Sequence, residues 1–394
     1  MEYPISEIIK IVNGKFASQP HFDRGIKDIL IDSRKLIAAG QTLFFALASK
    51  RNDGHKYIPE LYSRGLRDFV VTKVPEDINS YPEANFILVK NSLVALQALA
   101  RAHREKFNIP VIGITGSNGK TVVKEWLYQL LSKDRRTIRS PKSYNSQIGV
   151  PLSVWQMDSP YEIAIFEAGI SEPDEMNRLE AIIRPTIGLF TNIGEAHGEN
   201  FMSLQQKVGE KLCLFTHVET LVYCHDHPEV REVIIRSGIR KNIKTFTWSF
   251  KQEADLFIKE VEKDNGKLTH IKGVFKGKPV SIGIPYADAA SVENAIHCWA
   301  VMLLLGYEPE NIASRFENLQ PIAMRLELKD GINHCTIIND SYNSDINSLS
   351  IAIDFLRQQA NHKKKTIIIS DILQSGKDED ELYSYIGSII KSKQ

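Results

Sequence analysis

From residue 111 the chain alternates short apolar runs with longer stretches whose apolar positions recur three and four apart. The runs are 111–115, 163–167, 187–192 and 221–224; the amphipathic stretches run on to residue 131 and cover 172–183 and 204–215. A short run with no polar alternation reads as a strand buried on both faces, and the amphipathic stretches read as crossover helices. Repeated βαβ units of this kind build a parallel sheet and gather ligands at the carboxyl ends of its strands. Upstream, strand-like runs at 29–31, 42–47, 69–71 and 86–89 stand among turns and close with a helical pattern over 92–106. Between 255 and 284 short alternating runs with Gly-Lys turns predict an antiparallel appendage, followed by a buried helix over 291–305. After Leu319-Gln320-Pro321 the pattern predicts a strand at 335–339, a helix at 349–359, a strand at 366–370 and a helix at 380–390. The whole is an α/β chain in three parts, 1–106, 107–320 and 321–394. Two strands are too few for a stable sheet, so the last part reads as incomplete or as leaning on something outside the chain.

The first run leads straight into chemistry. Residues 111–126 read VIGITGSNGKTVVKEW, a strand, a loop with two glycines, and Lys120-Thr121 at the start of a helix. A nucleoside triphosphate concentrates negative charge, and loop N–H groups, a helix N-terminus and one lysine are suited to hold it. Thr115, Gly116, Ser117, Asn118, Gly119, Lys120 and Thr121 form the loop: Gly116 and Gly119 let the main chain curl, Lys120 reaches the β and γ phosphates, and the Thr121 hydroxyl is placed for Mg²⁺. Ile114 stands where the generic motif has its first glycine, which leaves the tighter T-G-x-x-G-K-T. The next two runs lead into Glu167 and, five residues past the run at 187–192, His197. Thr121 and Glu167 make a sensible oxygen pair for Mg²⁺. Taken alone, His197 reads more readily as a hydrogen-bonded structural group. The string His225-Asp226-His227 tempts a metal reading, but it precedes Pro228 and reads as a turn.

Composition narrows the partners. With 49 basic against 48 acidic residues and a net charge of +1, no global field calls for nucleic acid or an anionic membrane. Cys213, Cys224, Cys298 and Cys335 form no C-x-x-C pair, which argues against a disulfide framework or zinc site. The N-terminus carries Glu2 and Glu7 where a signal peptide would be basic, and the longest apolar segment is far too short to span a bilayer. A soluble, cytoplasmic enzyme acting on small molecules is the expectation, with no membrane insertion.

The T-G-x-x-G-K-T loop, the strand ending Glu167-Ala168-Gly169, the string TNIGEAH and the following FMSLQQKVGEKLCLF together resemble the Mur ligase superfamily, ATP-dependent amide-bond-forming enzymes of peptidoglycan synthesis. The strings NGKTVVKEW, SYNSQIGVP and EAGISEPDEMNRLEAIIRPTIGLFTNIGEAH are most similar to the branch that adds D-alanyl-D-alanine to UDP-N-acetylmuramoyl-tripeptide. The resemblance covers essentially the whole chain. It implies a UDP-sugar-binding domain, a central parallel-sheet P-loop ATPase domain and a C-terminal Rossmann-like ligase domain, with ATP and two Mg²⁺ ions as cofactors.

Carried over by position, the resemblance assigns roles. Lys120 neutralises the transferred phosphoryl group, Glu167 holds one Mg²⁺, and His197 belongs to the other. Lys211 falls where the family has a carbamylated, metal-associated lysine; by itself it reads as a solvated helix lysine. Asn294 matches the adenine contact, Arg325 the arginine that approaches the phosphates from the third domain, and Asp340 the ribose aspartate. In the family's D-D-x-Y-N-A-N-P string this chain has Asn339, Asp345 and Ile346 at three places and keeps Asp340, Tyr342 and Asn343. Ser33, Arg34, Asp53, Gly54 and His55 match the UDP end of the substrate, although Asp32-Ser33-Arg34 reads equally as a turn with a local ion pair. Asn145 and Ser146 face the muramoyl peptide.

Two other readings compete. A sister ligase adding the third peptide residue should carry a D-N-P-R-like string, which is absent. A nucleotide-binding regulator without its second substrate site is the reading from another class. The family's third domain continues further than Gln394, and some relatives run on into a fused alanine racemase domain. The expectation from this is a fragment that binds both UDP-sugar and nucleotide with weak or absent ligation.

Overall fold

The computed structural model describes residues 1–394 except 18–21, 50–51, 195–200, 264–267, 324, 333–334, 342–345, 359–363, 373–377 and 393–394. His197, Tyr342, Asn343 and Asp345 therefore lie outside the described residues. The chain divides into two compact units.

The first unit comprises Met1–Ile109 together with Ser143–Tyr161 and Ala181–Ile183. Its sheet runs in the order Lys15–Phe16, Asn85–Leu88, Asp68–Val71, Thr42–Phe45, Asp28–Leu30, parallel except for the first pair. Alternate side chains serve two cores. Leu43, Phe45 and Val70 join Tyr3, Ile5, Leu96 and Leu99 on one face, while Phe44, Phe69, Val71 and Phe86 join Ile58 and Leu61 on the other. Burial on both faces is why these strands read as unbroken apolar runs. The helix expected over 92–106 is Ser92–Arg104; the Asn91 side chain accepts from the N–H groups of Leu93 and Val94 and so starts it.

The second unit comprises Pro110–Lys142, Glu162–Glu180 and Arg184–Gln394. Its main sheet has nine strands among the described residues. Val111–Thr115 is third from one edge, parallel to Ile163–Glu167 on one side and to Ile187–Phe190 on the other. Thr137–Arg139 closes the first side; Thr220–Cys224, Lys244–Ser249 and Leu256–Lys263 extend the second. The strands Thr269–Phe275 and Lys278–Ile284 then add on antiparallel. The segment expected as an appendage is thus the outer edge of the main sheet. The reason is local: Leu256 is fully buried and pairs in parallel with Trp248, which draws the whole hairpin onto the existing ladder. Helices Lys120–Leu131 and Ala289–Leu304 share one core with this sheet, where Trp126, Leu127 and Leu130 meet Ile112, Ile114, Cys298 and Trp299.

The end of the chain holds an antiparallel pair, Glu327–Asp330 with Thr336–Asn339, and the helices Ile346–Gln358 and Glu379–Ser392. Ile346, Ile372, Leu382 and Ile386 form a small cluster of their own. The strand expected at 366–370 is not formed. An apolar run becomes a strand only where a neighbour offers a free ladder, and here Ile368 is 94% exposed. Among the described residues no helix is long and apolar enough to cross a membrane.

Candidate nucleotide and metal site

The loop after Val111–Thr115 is fastened from two sides. The Ser117 N–H donates to Asn192 O at 2.8 Å and the Asn118 N–H to Asn192 Oδ1 at 2.9 Å. Thr191 Oγ1 donates to Asn118 O at 2.6 Å, and the Gly194 N–H donates to Ser117 Oγ at 2.9 Å. Both glycines are required by the main chain: Gly116 has φ +148° and Gly119 φ +81°. A Cβ on Gly119 would stand 2.3 Å from Asn294 Oδ1, and one on Gly116 would stand 2.0 Å from Thr191 Oγ1. Gly119→Ala is therefore expected to weaken nucleotide binding about tenfold or more, because the left-handed turn and the Asn294 contact fail together. Calorimetric titration with ADP checks this, and an unchanged affinity would contradict it.

Lys120 opens the helix and folds back, donating to Gly116 O at 2.9 Å and Ser117 O at 2.8 Å. One residue on, Thr121 Oγ1 donates to Glu167 Oε2 at 2.9 Å. Glu167 is fully buried at the end of its strand, and its Oε1 has no hydrogen-bond partner. Burial pushes the Glu167 carboxyl up; the charges of Lys124 and Lys120, the Thr121 hydroxyl and the charge of Arg325 pull the other way. A buried carboxylate with one oxygen unsatisfied is a costly arrangement unless a cation completes it. No group of three or more His, Cys, Asp or Glu side chains converges among the described residues. An ion here would therefore rely on one carboxylate, a hydroxyl, phosphate oxygens and water, which suits Mg²⁺.

Lys211 is buried rather than solvated, and its Nζ donates to Gly116 O at 3.0 Å. Burial, then the charges of Lys120 and Lys207, hold this amine well below the usual lysine range, against the opposing charge of Glu210. Lys207, one turn earlier on the helix Leu204–Leu212, is equally buried and donates to Gly194 O at 2.5 Å. The sequence reading missed Lys207, although the K-x-x-x-K spacing puts both lysines on one helix face.

On the other flank Asn294 is buried against Gly119. His297, three residues along and fully buried, also went unnoticed. The Trp248 indole donates to His297 Nδ1 at 3.1 Å, so the ring proton sits on Nε2 and is donated to Thr191 O at 2.9 Å. His227 pairs with Glu293 at 3.1 Å while Asp226 accepts from Ser249 Oγ and the Phe250 N–H, which makes 225–227 an anchored turn. Asp340 Oδ1 accepts from the Leu326 N–H at 3.2 Å, beside Arg325.

In the first unit the Arg34 guanidinium forks onto Asp32, with Nε to Oδ1 at 2.9 Å and Nη2 to Oδ2 at 2.8 Å, and is otherwise exposed. This is the local ion pair read as one alternative. Ser33 is buried, and its carbonyl accepts from Arg64 Nη1 at 2.6 Å. Asp53 accepts from Lys73 Nζ at 2.8 Å and His55 Nδ1 at 2.6 Å. Those bonds, Lys73 first, hold its carboxyl well below the ordinary range. The Thr72 N–H donates to His55 Nε2 at 3.0 Å, so both ring nitrogens serve the fold. A Cβ on Gly54 would lie 2.9 Å from Leu47 main-chain atoms. Ser146 Oγ accepts from the Gly149 N–H at 3.1 Å, and the Asn145 N–H donates to Ser143 O at 2.8 Å.

Residues 114–302 match the Mur ligase middle domain. The chain is 29% identical over 391 residues to the UDP-N-acetylmuramoyl-tripeptide–D-alanyl-D-alanine ligase of Bacillus subtilis, covering 98% of this chain and 82% of that one. It is 30% identical over 370 residues to the enzyme of the same name from Borreliella burgdorferi, covering 90% and 77%. A crystal structure of MurF from Acinetobacter baumannii superposes with a TM-score of 0.85 at 24% identity, over 95% of this chain and 80% of that one, and shares its three-domain fold. None of these three matches is to an alanine racemase, so that expectation gains no support from them. Likeness that runs through nearly the whole chain, on a sheet that brings the phosphate loop, Glu167 and Lys211 to one edge, makes this chain a member of the Mur ligase family.

Proposed function

We propose that the chain joins D-alanyl-D-alanine to UDP-N-acetylmuramoyl-tripeptide at the expense of ATP, a peptide-bond-forming step of peptidoglycan precursor synthesis in the cytoplasm. The observation that carries this reading is the Thr121–Glu167 pair at the root of the phosphate loop, with Glu167 Oε1 unsatisfied and the buried amine of Lys211 on the Gly116 carbonyl. A simple nucleotide-binding module has no use for a second buried lysine of depressed basicity beside its phosphate cradle.

A carboxylate is a poor acylating agent. One oxygen of the tripeptide's terminal carboxylate attacks the γ-phosphorus, an O–P bond forms, the β,γ bridge breaks and ADP leaves. The amine of D-alanyl-D-alanine then attacks the carbonyl carbon; the C–N bond forms, phosphate departs with the acyl oxygen, and the amine gives up its proton. Lys120, once released from Gly116 O and Ser117 O, carries its charge to the transferred group. Loop N–H groups and Gly119 receive the phosphates, Asn294 the adenine, and Arg325 and Asp340 the nucleotide from the side of the last part. Mg²⁺, one ion at Thr121 and Glu167 and a second with His197 and a carbamylated Lys211, would neutralise phosphate charge. Ser33, Arg34, Asp53, Gly54 and His55 form the UDP end; since the His55 ring is spent on Asp53 and Thr72, its contribution is to shape the loop. Asn145 and Ser146 meet the muramoyl peptide. The parts 1–106, 107–320 and 321–394 would then serve UDP-sugar, ATP and ligation in turn.

Phosphate release with ATP, Mg²⁺ and UDP-N-acetylmuramoyl-tripeptide, compared with and without D-alanyl-D-alanine, tests the reading. Dipeptide-dependent release is expected. Binding of the UDP-sugar with no such release would refute ligation, and absence of UDP-sugar binding would refute the substrate.

A further inference from the structure

Lys124 lies one turn past Lys120 on the phosphate helix, and it is wholly buried. Its ammonium donates to Ser140 O at 2.8 Å and also to Lys142 O, and it stands 3.1 Å from the Glu125 carboxylate. Glu125 is held in turn by Arg139 Nε at 2.7 Å. A buried charge spent on two main-chain carbonyls fixes backbone and little else. The backbone it fixes is unusual. Lys142 has φ +50°, a left-handed conformation that a lysine does not choose unaided. Ser140 is fully buried and its Oγ accepts from the Glu167 N–H at 3.4 Å, so the same segment also touches the strand end that carries the buried carboxylate. Lys142 is also the last residue before the chain passes into Ser143–Tyr161, which folds with the first unit and holds Asn145 and Ser146.

We infer that Lys124 is a positioning residue for the UDP-linked substrate: it locks the strained 140–142 backbone from which the segment bearing Asn145 and Ser146 departs. This rests on the reading above that those two residues meet the muramoyl peptide. The Lys124 ammonium is spent on Ser140 O, Lys142 O and Glu125, none of them in the loop 115–121, and its charge also acts on Glu167.

Lys124→Met keeps the length and removes every donor. In the full chain it is expected to raise KM for UDP-N-acetylmuramoyl-tripeptide about tenfold and KM for ATP by clearly less, the lost charge beside Glu167 accounting for the smaller change, a split that general loosening would not produce. Amide hydrogen exchange across 140–146 should accelerate about tenfold while that of 116–121 stays as in the parent protein. Lys124→Arg, which can still donate to both carbonyls, should recover the protection. Should the methionine variant fail to fold, Lys124→Gln carries the same comparison. Unchanged exchange over 140–146, or KM for ATP rising in step with that for the UDP-sugar, overturns the inference. A parent protein without dipeptide-dependent phosphate release would sink the proposed function instead, and the exchange comparison would still decide the role of Lys124.

Discussion

Lys120→Met is expected to lower dipeptide-dependent phosphate release by about three orders of magnitude, the scale on which a single cationic group acts in phosphoryl transfer. The Lys120 ammonium donates to Gly116 O and Ser117 O, two carbonyls of the loop it serves. These bonds hold the side chain over the place where phosphate charge will develop, and a bound triphosphate offers it better acceptors. Methionine preserves the helix start and much of the side-chain volume, while the bonds to Gly116 O and Ser117 O are lost. The loop's other fastenings, Ser117 to Asn192 and Gly194 and Asn118 to Asn192, do not involve the side chain. The variant should therefore melt cooperatively within several degrees of the parent and still bind UDP-sugar. Rapid-quench measurement of acyl-phosphate formation would locate the defect in the first step; a rate within about tenfold of the parent would remove Lys120 from catalysis.

Lys211→Ala is expected to cost about two to three orders of magnitude in turnover, with a distinctive pattern of rescue. Only a neutral amine attacks CO₂, and burial first, then the charges of Lys120 and Lys207, make the Lys211 amine a weaker base than an ordinary lysine. Attack of the amine on CO₂ would form a C–N bond, release one proton and turn the neutral amine into an anion. Lys120 and Lys207, which press against a protonated Lys211, then become its partners. The alanine variant leaves a space for a small carboxylate at the Gly116 carbonyl. Added acetate or propionate should restore a measurable part of the rate, whereas bicarbonate should not, since no amine remains to capture it. Full activity without any addition would remove Lys211 from catalysis, and a large loss that no short-chain acid restores would argue against the carbamate.

The phosphate loop, the carboxylate Glu167 at the next strand's end and the alternation of strands and helices were legible because each is a local pattern. Five apolar residues with no polar alternation mark a strand covered on both faces, and Val111–Thr115 and Ile163–Glu167 are that. The run at 366–370 has the same composition and is no strand, because strand formation depends on an edge elsewhere in the chain. The hairpins of 256–284 show the converse: their alternation was plain, but only the pairing of Leu256 with Trp248 decided that they extend the main sheet. Lys124, Lys207 and His297 passed unremarked for one reason. Their importance lies in carbonyls 13 to 106 positions away, and no spacing rule reaches that far.

By itself, then, the sequence determined what the protein can grip: a phosphate loop of T-G-x-x-G-K-T form, a glutamate at the next strand's end, and a family likeness along the chain. Tertiary structure decided the state in which those groups stand. It left Glu167 Oε1 without a donor, buried Lys211 beside two other lysines, bound the His55 ring to Asp53 and Thr72, and strained Lys142 under a buried ammonium. Charge state and strain follow from desolvation and from partners distant in sequence, and those exist only once the chain has folded.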